Sequence, residues 1–221
     1  MKKDFSALSF SEKERVCESI FIADGPYWPT YTDGTMMQNI FISKEDFIIW
    51  MWCLAAARHL CKSVRAITFE LMSNHVHLIL AGTKEDCIKV FDLFAARLKK
   101  AFPKRQRAID WSKFKMDILP IENLLALRNE IIYTNRNAFV ANPAYTPDSY
   151  PWGGGCAYFC PWLKHLTTTP LGELPILTQR ALLHTKKISP LADLKAIDSI
   201  PFIPSFCDIQ LGESMFRDAR N

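Results

Sequence analysis

No apolar run in the chain is long enough to cross a bilayer. The longest, Phe47 to Ala57, falls well short of the roughly 20 residues a spanning helix requires. The N-terminal stretch MKKDFSALSFSEKERVCESIF is broken by Asp4, Glu12, Lys13, Glu14 and Arg15, so it holds no continuous apolar segment of the signal-peptide kind. A dominant charge sign is missing too: 27 Lys and Arg face 23 Asp and Glu, a net charge of +4. That is far from the balance of a purely electrostatic DNA coat protein. The seven cysteines (17, 53, 61, 87, 156, 160 and 207) form no CxxC pair. Cys156 and Cys160 are spaced CxxxC with no second ligand pair, a poor zinc pattern, and an odd cysteine count in a chain of this size argues against a disulfide framework. They read as buried free thiols in a reducing compartment. There is no internal repeat and no low-complexity tract. What remains is a chain of 221 residues, 49% of them hydrophobic. That is enough for one cored domain plus a substantial appendage, and it excludes wholesale disorder. The expectation is a soluble, cytoplasmic protein.

Periodicity and turn chemistry predict the elements. Ser11 to Phe21 reads as a short amphipathic helix with Ser11 as N-cap, ended by Gly25-Pro26. Tyr27 to Thr32 reads as a strand followed by an Asp33-Gly34 turn. Ser43 opens a helix to about Leu60, with Phe47, Trp50, Met51, Leu54 and Ala57 at helical spacing. Val64 to Leu71 and His75 to Ala81 are strand-like, Thr83 to Ala101 helical, and Lys115 to Leu119 a short strand. Ile121 to about Val140 is helical and closed by Asn142-Pro143. The order β-α-β-β-α-β-α predicts an α+β fold: an antiparallel sheet with helices packed on it, ferredoxin-like or RRM-like. Residues 143–221 are Pro-rich, with glycines at 153, 154 and 155 and only short helical fragments, one at Thr178 to Thr185 and another starting near Gly212. The expected organisation is an N-terminal helical segment over 1–24, a core over 25–152 and a mostly irregular and helical C-terminal extension over 153–221.

Two short segments carry chemistry. In Ser73-Asn74-His75-Val76-His77-Leu78, strand alternation sends His75 and His77 to one face. Two imidazoles side by side on a rigid strand are natural ligands for one divalent cation; equally, they are what a half-buried strand shows when two histidines face solvent. In Tyr133-Thr134-Asn135-Arg136-Asn137, Tyr133 and Asn137 share a helix face. The phenol there can act as a nucleophile and the amide oxygen can complete the coordination of a hard cation such as Mg2+ or Mn2+. The other reading is a capping Asn and a core-edge Tyr.

Taken together, these residues resemble the single-tyrosine HUH transposases, in particular the REP-associated tyrosine transposases. FELMSNHVHLIL corresponds to that family's His-hydrophobic-His strand with its preceding stretch. Tyr133 to Asn137 corresponds to its Tyr-x-x-x-Asn-Pro helix, and Pro147-Asp148-Ser149-Tyr150-Pro151-Trp152 to its Asp-Tyr-Pro-Trp-Ser-Ser segment. Order and spacing agree over roughly residues 25–155. The chain departs twice: Ala138 stands in place of the proline, and Gly153-Gly154 in place of the two serines. The resemblance implies an HUH nuclease core over 25–152, with His75, His77 and Asn137 as metal ligands and Tyr133 as the catalytic nucleophile. It implies a metal-dependent single-strand DNA endonuclease and strand transferase that forms a 5′-phosphotyrosine intermediate in DNA transposition, at hairpin or palindromic sequences, as a monomer or homodimer. No GxxxxGK[ST] motif is present, consistent with a reaction that conserves bond energy and needs no ATP. The alternatives are a domesticated, catalytically silent DNA-binding protein on the same scaffold and, more distantly, a metal-dependent hydrolase. The C-terminal part resembles the extension of longer family members, cut within a helix.

Three further features bear on a DNA partner. Arg97, Lys99, Lys100, Lys104, Arg105 and Arg107 put six basic residues into eleven positions, beside Phe102 and Trp111. Basic side chains with stacking rings suit a single strand, although cations also gather at helix C-termini. Trp152 and Tyr150 can stack on bases or pack under their loop. Glu70, five residues before His75, reads as a surface carboxylate at a strand end, with assistance to the metal or to proton transfer as the alternative.

Overall fold

A computed structural model of the chain describes residues 8–36, 38–102, 109–186 and 188–217. Its elements are α1 (Phe10–Asp24), β1 (Tyr27–Thr32), α2 (Lys44–Leu60), β2 (Arg65–Leu71), β3 (Val76–Ala81), α3 (Lys84–Ala101), β4 (Met116–Ile118) and α4 (Leu124–Ala141), followed by β5 (Thr169–Pro170), α5 (Ile176–Leu183), β6 (Lys195–Ile197), β7 (Ile200–Pro201) and α6 (Ile209–Ser214). The protein is α+β. A four-stranded sheet runs in the order β2-β3-β1-β4 with every neighbouring pair antiparallel, and β5-β6-β7 form a small second sheet. No helix among the described residues is long and apolar enough to cross a membrane.

Helix starts follow their caps. Ser43 and Asp46 close a reciprocal capping box on α2, and Thr83 and Asn123 cap α3 and α4. The first helix begins earlier than the Ser11 cap predicts, because Ser9 and Glu12 complete a capping box while Ser11 does not. Asp208 likewise starts α6 ahead of Gly212. All seven cysteines are free thiols, five buried and Cys156 and Cys160 half-buried.

The two faces of the sheet bury different things. Phe69, Leu71, Val76, Leu78 and Leu80 meet α2 and α3 in a large apolar cluster that includes Trp50, Phe91 and Phe94. Ile67, Ile79, Ala81 and Tyr27 meet α1 and α4 through Cys17, Leu124, Leu127 and Ile131. An irregularity between Ala66 and Thr68 inserts one residue into β2. It resets the alternation, so that Thr68 and Glu70 share the α4 face with Ile67.

The C-terminal extension is built into this core. At the junction with the core, residues 152–154 lie along the outer edge of β2: the Leu71 amide donates to the Trp152 carbonyl (2.9 Å) and the Gly154 amide to the Phe69 carbonyl (2.7 Å). Further along the same edge the Asp208 amide donates to the Ala66 carbonyl at 2.7 Å. Such pairing removes an open edge. Other parts of the extension cover the outer side of α2, where Trp52 Nε1 donates to the Ser199 carbonyl at 2.7 Å. This is why α2 is buried around its whole circumference from Ile49 to Ala57 and not only along its predicted stripe. Gly154 must be small: a Cβ there would sit 2.6 Å from Thr68 Oγ1. The glycine at 154 is thus a packing requirement here. Gly154→Ser should destabilise the protein by about 1–3 kcal/mol through overpacking against β2, read as a lower midpoint in chemical denaturation; an unchanged midpoint would contradict the close approach.

Candidate metal and tyrosine site

Register builds the site. Glu70 pairs with His77, His77 with Tyr31, and Tyr31 with Asp117, so these four residues form one row across β2, β3, β1 and β4 on the face that carries α4. Helix α4 packs over β2 and β3 on that face and leaves the end of β1 and β4 at Tyr31 and Asp117 open. The result is a pocket of about 570 Å³ lined by His75, His77, Tyr133, Asn137, Asn74, Tyr31 and Asp117, together with the 32–35 turn. The histidine pair and the Tyr–Asn pair, 56 residues apart in sequence between His77 and Tyr133, are thereby brought into one pocket.

The two imidazole centroids lie 5.1 Å apart and nearly perpendicular, and the Tyr133 ring stands edge-on to His77 at 5.6 Å. Tyr133 is half-exposed at the pocket mouth. Asn137 turns its Nδ2 back onto its own helix, donating to the carbonyls of Tyr133 (2.9 Å) and Thr134 (3.3 Å). That leaves Oδ1 as the end free to meet a cation. Asn74 Nδ2 donates to the Gly34 carbonyl at 2.7 Å, which turns Asn74 Oδ1 toward His75 Nδ1, also at 2.7 Å. Nδ1 must therefore carry the proton, and the lone pair of His75 is on Nε2. Burial lowers the pKa of both histidines, His77 to about 4 with help from the neighbouring His75 charge. Both imidazoles are neutral near pH 7 and suited to bind a metal. Among the described residues, no three His, Cys, Asp or Glu side chains converge to hold a metal ion. A cation here would take two imidazoles and the Asn137 amide oxygen, with its other positions left to water or substrate oxygens.

Helix α4 is seated by buried polar contacts that sequence reasoning did not find. Thr68 Oγ1 donates to Asn135 Oδ1 at 2.5 Å, and Glu70 Oε1 accepts from the Ala138 amide. Glu70 is 1% exposed, not a surface carboxylate, and the row geometry explains why: its register partner is His77, beneath α4. Gly153 presses on it from the edge, where a Cβ would lie 3.3 Å from Glu70 Cγ. Ala138 provides the amide N–H that this carboxylate accepts, which a proline at that position would lack.

The expected DNA contacts lie elsewhere. Arg97, Lys99 and Lys100 are on α3, across the sheet from the pocket, and Arg97 is half-buried while the two lysines are exposed. Lys104, Arg105 and Arg107 lie outside the described residues. Phe102 is buried, edge-on to Phe41 at 5.2 Å. Trp152 stacks on Phe47 at 5.1 Å, and Tyr150 is buried with its hydroxyl donating to the Leu71 carbonyl at 2.6 Å. The rings at 150 and 152 thus pack within the protein. The residues missed in the pocket had faint signals: Asn74 abuts the histidine motif and Asp33-Gly34 marks a turn, but Tyr31 and Asp117 enter only through strand register.

No protein-family model matches the chain, and neither a curated protein nor a solved structure does.

Two outcomes test this geometry. A Cβ at Gly34 would lie 2.6 Å from His75 Nδ1. Gly34→Ala should therefore swing the ring and move the His75 and Gly34 resonances in NMR spectra, and unchanged shifts would show that the ring is held otherwise. Burial pushes the Glu70 carboxyl up to about 7, against the pull of the Ala138 amide. A raised carboxyl pKa contributes fully to stability below its unfolded value, and that contribution is lost as the pH rises through 7. Glu70→Gln keeps the neutral shape, so between pH 5 and 8 it should gain on wild type by about 2 kcal/mol in unfolding free energy. Parallel pH profiles would refute the assignment.

Proposed function

We propose that this protein is a metal-dependent single-strand DNA endonuclease and strand transferase of the single-tyrosine HUH kind, working in DNA transposition at hairpin or palindromic sequences. The observation that carries the reading is the convergence of His75, His77, Tyr133 and Asn137 on one pocket. The strand order β2-β3-β1-β4, with helices α2 and α4 after β1 and β4 and α3 between β3 and β4, supports a ferredoxin-like core.

His75 Nε2, His77 and Asn137 Oδ1 would hold a Mg2+ or Mn2+ ion. When bound, it supplies polarisation of the scissile phosphate and stabilisation of charge on the departing oxygen. The chain's own residues do the rest. The Tyr133 oxygen forms a bond to phosphorus in line with the departing 3′-oxygen; the P–O3′ bond breaks, giving a 5′-phosphotyrosine and a free 3′-hydroxyl. The phenolic proton leaves to solvent, to which half-exposed Tyr133 is open, and a proton from water completes the 3′-hydroxyl. A second 3′-hydroxyl reverses the step and joins new strands. His77, edge-on to Tyr133, and the Asn137 amide, anchored on its own helix turn, hold the phenol and the phosphate site at fixed separation.

The test is incubation with single-stranded hairpin oligonucleotides and Mn2+, followed by denaturing electrophoresis. Wild type should give a covalent protein–DNA band that Tyr133→Phe abolishes and His77→Ala reduces at least 100-fold. An adduct that persists in Tyr133→Phe would sink the assignment.

A further inference from the structure

A second cavity lies away from the tyrosine pocket, a cleft of about 760 Å³ between the C-terminal extension and the core, at the opposite end of β2. Arg65, one of its lining residues, pairs with Ala81, whereas the site residues Glu70 and His77 pair five residues further along β2. The two places are therefore roughly 15 Å apart along the strand.

The cleft's charge is uneven. Arg58, Arg65, Lys164 and Lys195 line it against two carboxylates, Asp208 and Glu213. Both carboxylates already serve the protein: Asp208 Oδ1 accepts from the Leu211 amide as the cap of α6, and Glu213 Oε1 accepts from the Phe159 amide at 2.6 Å. Arg65 is held by Asp24 at 2.7 Å. Arg58 is different. It is half-buried, burial pushes its pKa down, and its Nε is enclosed without a hydrogen-bond partner. Lys164 and Lys195 are exposed on the cleft walls. Trp162 lies in sequence between the lining residues Pro161 and Leu163, is outside the lining itself and is 70% exposed, with Phe159 a few residues away at 54%.

We propose that this cleft binds the sugar-phosphate backbone of single-stranded DNA, with Arg58, Lys164 and Lys195 on phosphates and Trp162 stacked on a base. Two exposed ammonium groups, the Arg58 guanidinium in the lining and an exposed indole are the parts such a strand engages. The choice of DNA rests on the reading of the tyrosine site; the phosphate chemistry does not. The cleft would hold a stretch of strand separate from the scissile one, so that one protein grips its substrate at two places.

Fluorescence anisotropy with a labelled oligo(dT) tests this, in a Tyr133→Phe background so that covalent capture cannot feed the signal. Lys164→Glu/Lys195→Glu should lower affinity at least 10-fold. It should also reduce the slope of log affinity against log salt by roughly 1.4, two phosphate contacts at about 0.7 each. Trp162→Ala should lower affinity about 10-fold with the slope unchanged. The three altered residues are exposed, and equal thermal midpoints confirm that the variants fold. Unchanged affinity and slope in the double-lysine variant would overturn the proposal. So would binding of inorganic phosphate at these lysines without any effect on oligo(dT), which would make the cleft a free-phosphate site. Adduct formation by protein with an intact Tyr133 is scored separately: an adduct with lysine-independent affinity refutes only the cleft, and lysine-dependent affinity without an adduct refutes only the tyrosine site.

Discussion

The seating of α4 on β2 is the constraint on which the rest of the site depends. Thr68 and Glu70 are buried polar groups, and burial leaves them no water to fall back on. Each finds its partner on α4, at Asn135 and at the Ala138 amide, and only one rotation and one height of the helix serve both. With those fixed, Tyr133 and Asn137 have no freedom to leave His77. Several other features serve the same end. The extra residue in β2 turns Thr68 and Glu70 to the α4 face, and the two glycines at 153 and 154 let the extension close the strand edge beside them.

The row Glu70, His77, Tyr31, Asp117 grades from buried to open across four strands. At the covered end the carboxyl is pushed toward neutrality, next to it the His77 imidazole is kept neutral, and at the open end Asp117 is exposed. One antiparallel register therefore yields a dry half that fixes the helix and a wet half that admits a ligand. The other face of the sheet is given over to apolar packing with α2 and α3.

The extension belongs to this architecture. It closes the β2 edge, wraps α2 and forms one wall of the basic cleft. Arg128 of α4 ties it to the N-terminal helix: its Nη1 and Nη2 grip both carboxylate oxygens of Glu14, while Nε donates to the Met215 carbonyl at 2.6 Å. Segments from the start, the middle and the end of the chain thus meet at one guanidinium.

Local pattern alone determined the order and type of the first eight elements, the Ser43 cap of α2 and the two short motifs on His75–His77 and Tyr133–Asn137. These depend on residues within a turn or a strand of one another, where alternation, spacing and capping chemistry act directly. Tertiary structure decided what no local window contains. It made Glu70 a buried seat for a helix, took Tyr150 and Trp152 into the packing, and placed the basic residues of α3 across the sheet from the pocket. It also recruited Gly34, Asn74, Tyr31 and Asp117 around the histidines. Each of those outcomes was set by register between strands or by burial against a distant segment, because partner choice for a polar group depends on which surfaces remain after the core has closed.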